Sequence, residues 1–77
     1  MKQINKAQAF KQYTQGNTIH ILPDNMSLES SFTTSLQLTQ TEIKEPLKAL
    51  FEREINQLHD MLCSGSMSRR LKYYITN

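Results

Sequence analysis

With 77 residues, 38% of them apolar, the chain has material for one domain (1–77) and one small core. A formal charge of +2 is too small to name a partner, and a single cysteine, Cys63, rules out an internal disulfide. Membrane-spanning proteins, secreted disulfide scaffolds and enzymes with a deep self-contained pocket are excluded, since no apolar run approaches the ~20 residues that span a bilayer.

The polar start Met1-Lys2-Gln3 carries no signal-peptide core, so a reducing, cytoplasmic setting is the expectation. Asn5 is a helix cap, with Gln8 placed three residues later to reach back to its amide. Ala7, Phe10 and Tyr13 or Thr14 follow at helical spacing, and Gly16 stands where a left-handed terminator is wanted. These signals predict a helix over 6–15. Thr18-Ile19-His20-Ile21-Leu22 then reads as a strand stopped by Pro23-Asp24-Asn25, with Ile19 and Ile21 on one face and Thr18, His20 and Leu22 on the other.

Residues 26–31 read as loop, polar apart from Met26 and Leu28, with Phe32 just beyond. Alternation of Thr34, Leu36 and Leu38 with Ser35, Gln37 and Thr39 predicts a half-buried strand over 33–39. The clearest period comes next. Leu47, Leu50, Phe51, Ile55, Leu58, Met61 and Leu62 form one stripe, and Pro46, acceptable only in a first turn, sets the helix start near Glu45 and its end near Leu62. Lys48 and Glu52 are spaced for an ion pair on its solvent side. In the tail, Leu71, Tyr73 and Ile75 alternate with Arg70, Lys72, Tyr74 and Thr76, a third strand with one wet face. The fold class expected is α+β, order α-β-β-α-β, a three-stranded antiparallel sheet with the helices packed on one face. Its core should draw on Phe10, Ile19, Ile21, Leu36, Leu47, Leu50, Phe51, Ile55, Leu58, Leu71, Tyr73 and Ile75.

Chemistry-bearing groups are few. His59 and Cys63 are spaced to face one ion, with His20 as a third ligand, but structural zinc takes four ligands in paired short spacings; neither metal nor cofactor is expected. Cys63, His59 and Asp60 can be written as a nucleophile, base and acid, yet neighbours about 100° apart on one helix cannot converge on one pocket. The two glycines, Gly16 and Gly65, stand in separate turns and make no phosphate cradle. An enzyme is not expected. Charge by segment is more informative: residues 1–40 carry +1, 41–62 carry −2 and 63–77 carry +3. Arg69, Arg70 and Lys72 interleave with Tyr73 and Tyr74, a pattern suited to RNA or single strands and equally to the guarding of a sheet edge. Tyr, Met and Arg are also the residues enriched at protein interfaces, and Met26, Leu28 and Phe32 are the second candidate patch; a loop tucking those three under the sheet is the plainer reading.

Gly16-Asn17-Thr18-Ile19-His20-Ile21-Leu22-Pro23-Asp24-Asn25-Met26, preceded by Ala9-Phe10-Lys11-Gln12-Tyr13 and closed by Lys72-Tyr73-Tyr74-Ile75, resembles small proteins of phages and mobile elements in low-GC Gram-positive bacteria. Those begin with a short helix, continue through a Gly-x-x-Ile-x-(Leu/Ile)-Leu-Pro-x-x-Met segment and end on an aromatic strand. The middle departs, lacking an expected tryptophan. The resemblance implies a phage-type inhibitor or modulator that binds a host protein or protein–RNA complex, an anti-CRISPR protein blocking a Cas nuclease being the foremost case; it transfers no catalytic residue. Partner-binding residues expected are Arg69, Arg70, Lys72, Tyr74, Met26, Leu28 and Phe32. The alternative is a small RNA- or DNA-binding accessory protein working through the basic C-terminal strand, and an exposed edge leaves room for a homodimer.

Overall fold

A computed structural model of the chain describes residues 1–31, 33–39, 44–62 and 70–76. Along the chain run β1 (Lys2–Ile4), α1 (Lys6–Thr14), β2 (Ile19–Pro23), β3 (Thr34–Leu36), α2 (Leu47–Leu62) and β4 (Leu71–Ile75). The α+β class and the packing of both helices against one sheet face stand. The strand number and the order do not: an additional strand, β1, precedes the first helix, and the sheet has four strands in the order β1-β4-β2-β3. Neighbours are all antiparallel. Each helix therefore joins two mutually parallel strands that are separated by one strand of the other unit, two interleaved split β-α-β units.

Local chemistry explains the ends of α1. The Asn5 side chain accepts from the Gln8 amide at 2.8 Å while the Gln8 side chain accepts from the Asn5 amide at 3.0 Å, a complete capping box. At the other end Gly16 has φ 81°, its amide donates to the Tyr13 carbonyl and the Asn17 amide to the Gln12 carbonyl, both at 3.0 Å. Gly16→Ala is expected to cost about 1–2 kcal/mol in thermal or denaturant unfolding, because a Cβ meets no neighbour there and only the left-handed backbone resists it.

The expected 33–39 strand pairs only over Thr34–Leu36, in register with Ile21–Ile19 of β2. Gln37, one residue past it, donates instead to the Gly16 carbonyl at 2.8 Å, which ties the exit of β3 to the end of α1. α2 begins at Leu47, two residues later than expected, with the Leu50 amide donating to the Pro46 carbonyl. Glu52 pairs not with Lys48 but across the helix interface with Lys6, at 3.0 Å, and Arg53 reaches back to Glu45 at 2.8 Å.

The core lies between the helices and one sheet face. Ile4, Ala9, Tyr13, Ile19, Ile21, Leu50, Phe51, Ile55 and Tyr73 form it, with Phe10, Leu36, Leu47, Leu58, Leu71 and Ile75 partly buried around it. Met61, expected in the stripe, is 62% exposed: its helical angle lies within the stripe, but it stands in the last turn of α2, where Leu62 is the buried member. Phe51 is the hub, its ring 5.3 Å from Phe10 and 5.2 Å from Tyr13, both tilted. Burial, with Glu54 adding to it, raises the Tyr13 phenol above its ordinary 10.0. An acid whose folded pKa lies above its unfolded one contributes stability below the unfolded value and loses it as pH climbs toward the folded value. Alkaline unfolding should therefore set in above pH 10 more steeply in the wild type than in Tyr13→Phe; identical pH profiles would show that the phenol is freely solvated.

Candidate functional site

Strand alternation sends Ile19, Ile21, Leu71, Tyr73 and Ile75 toward the helices and their neighbours toward the other face. Neither described helix covers that second face. Register lines up a transverse row on it: Gln3 lies opposite Tyr74, Tyr74 opposite His20, and His20 opposite Ser35. Leu22 and Lys72 form the next row. The two central strands thus place an aromatic and an imidazole ring side by side at mid-sheet, both half-buried.

His20 is fixed from both sides. Its Nε2 lies 3.2 Å from the Thr76 hydroxyl and its Nδ1 3.3 Å from the Ser35 hydroxyl. Each hydroxyl can donate or accept and rotates to match its ring nitrogen, so three segments are laced through one side chain. A serine beside a histidine supplies the nucleophile and base of a triad. The group on the far nitrogen, however, is the Thr76 hydroxyl rather than a carboxylate, and the pair sits on an open sheet face. As a polar clamp it is complete.

Leu22 lies, as expected, on the face opposite Ile19 and Ile21, and it is fully buried there, as is Pro23 at the end of β2. The turn that follows folds back over this end of the sheet. Its Met26 amide donates to the Pro23 carbonyl at 3.0 Å, and Lys72, paired with Leu22, donates its ammonium to the Met26 carbonyl at 2.7 Å. Met26 and Leu28 are half-buried in this loop, and the Leu28 carbonyl accepts from the Thr33 hydroxyl at 3.1 Å.

Of the expected partner-binding residues, Tyr74 stands at the middle of the open face. Lys72 lies on the same face with its ammonium committed to the loop, and Arg70 is exposed at the foot of β4, its carbonyl accepting the Asp24 amide at 2.8 Å. Arg69 and Phe32 fall outside the described residues, as does Cys63. His20 and His59 lie on opposite sides of the sheet, since α2 packs on the helix face. Sequence reading weighed His20 only as a metal ligand; the missing signal was the register that sets it beside Tyr74. Among the six residues that the pairing puts on the open face (Gln3, His20, Leu22, Ser35, Lys72 and Tyr74), Lys72 alone is charged. No helix among the described residues is long and apolar enough to cross a membrane. In comparisons with family models, curated proteins and solved structures, none matches this chain.

Proposed function

We propose that the chain is a small protein-binding module that docks through its open sheet face and works as an inhibitor or modulator of a host complex. The observation that carries this is the chemistry of that face: a tyrosine and a histidine at its centre, uncharged hydrogen-bonding groups around them, and Lys72, the one charged residue among the six that strand pairing puts there, already tied to a loop carbonyl. Interface centres are depleted in free charge and enriched in tyrosine, whereas a surface that grips a phosphate backbone needs several uncommitted cations. Phage accessory proteins of the kind the sequence resembles bind host complexes, which makes a Cas nuclease the first partner to try.

Affinity purification of the tagged chain from a low-GC Gram-positive host, with and without nuclease treatment, tests the reading. Capture of a protein that survives nuclease supports it. Capture that disappears with nuclease favours the RNA- or DNA-binding alternative. Self-association is a separate proposal. Both sheet edges, β1 and β3, are three-residue strands, and short edges limit edge-to-edge pairing. A homodimer would then form through the open face, and a concentration-independent monomer mass in sedimentation would remove it.

A further inference from the structure

On the side of the molecule away from the open sheet face, α1 and α2 leave a groove of about 420 Å³ lined by Lys6, Ala7, Phe10, Lys48, Phe51 and Glu52. The volume falls within the range of small-molecule sites, roughly 300–1,000 Å³. Its floor is the Phe10–Phe51 pair, Phe51 buried and Phe10 half-buried, with exposed Ala7 beside them. The rim carries two ammonium groups and one carboxylate. Glu52 has taken Lys6 at 3.0 Å, and Lys48 makes no ion pair among the described residues. One positive charge is therefore left over at the mouth of an apolar floor.

That combination selects among ligands. A bare inorganic anion would meet Lys48 but leave the aromatic floor wet, and a neutral hydrocarbon would leave the cation unanswered. An organic cation would be repelled by the surplus charge. We propose that this groove binds a small amphipathic carboxylate, an aliphatic or arylalkyl acid, with its apolar body on Phe10 and Ala7 and its carboxylate on Lys48. The inference is independent of the open face, because the sheet separates the two surfaces.

Decanoate is the probe, followed by amide chemical shifts of the intact chain, with decyltrimethylammonium and an acidic Leu-Glu peptide as comparison ligands. Decanoate should shift the Ala7, Phe10 and Phe51 amides saturably. Lys48→Glu should weaken that binding about fivefold or more, the scale of an exposed charge contact. Glu52→Gln should tighten it by a similar factor, because it releases the Lys6 ammonium and removes the competing carboxylate. A merely structural role for these residues would not produce opposite signs in the two variants. Circular dichroism verifies that both remain folded, as exposed helix-compatible substitutions should. Absence of saturable shifts, equal binding of the cationic analogue, indifference to Lys48→Glu, or shifts produced by the peptide alone would each overturn the assignment.

Discussion

Leu50→Ala is expected to destabilise the domain by ~2–5 kcal/mol, and Phe51→Ala by ~3–5 kcal/mol. Each side chain is 1% exposed and sits where α2 meets the sheet and α1, so truncation opens a void that rigid neighbours cannot fill. Phe51 additionally loses both ring contacts that join it to Phe10 and Tyr13. A domain of this length has a total stability of roughly 4–12 kcal/mol, so either loss is a large fraction of the whole. At about 4–8 °C per kcal/mol, the midpoint of thermal unfolding should fall by tens of degrees, and Phe51→Ala should be largely unfolded at 37 °C. Met61→Ala, in the last turn of the same helix and 62% exposed, should change the midpoint little. Equal midpoints for all three variants would mean that the α2 stripe does not face the core.

What the sequence disclosed depended on how much chain each signal occupied. α1 was legible to within a residue because its cap, its box partner and its terminating glycine are all local chemistry. α2 was legible from a stripe repeated over several turns. β1 was not. Three residues hold only one buried apolar side chain, Ile4, and no period can be read from a single point; the strand exists because β4 offers an unpaired edge beside it. The same limit shortened β3, whose alternation continues past Leu36 in sequence while Gln37 is drawn to the Gly16 carbonyl.

The site was half legible for a related reason. Alternation alone put His20 and Tyr74 on the faces opposite the apolar residues of their strands. Only the pairing of β2 with β4 reveals that the two rings are neighbours. Lys72 shows the converse. Its place among Arg70 and the tyrosines reads as a binding cation, yet a carbonyl 46 positions away claims it. Long-range partners of this kind leave no trace in local composition. Glu52, which lies in sequence beside Lys48 and in space beside Lys6, is another.

Tyr74→Ala is expected to have the largest effect on binding, about thirtyfold or more (~2 kcal/mol), as befits a central aromatic anchor. His20→Ala should follow, since it removes a ring from the same row and unlaces Ser35 from Thr76. Arg70→Ala, at the periphery, should act mainly through association rate and salt dependence. Lys72→Ala should register first as a loss of stability in the 23–31 turn rather than as a loss of contact.

The decisive measurement is a titration of the co-purified partner with wild type, Tyr74→Ala, Arg70→Ala and Lys72→Ala at two salt concentrations. Docking on a protein through the open face predicts a dominant loss at Tyr74 and a log affinity–log salt slope unchanged by the lysine substitution. Near-equal losses at Arg70 and Lys72, each lowering that slope by roughly one unit while Tyr74→Ala binds normally, would contradict it.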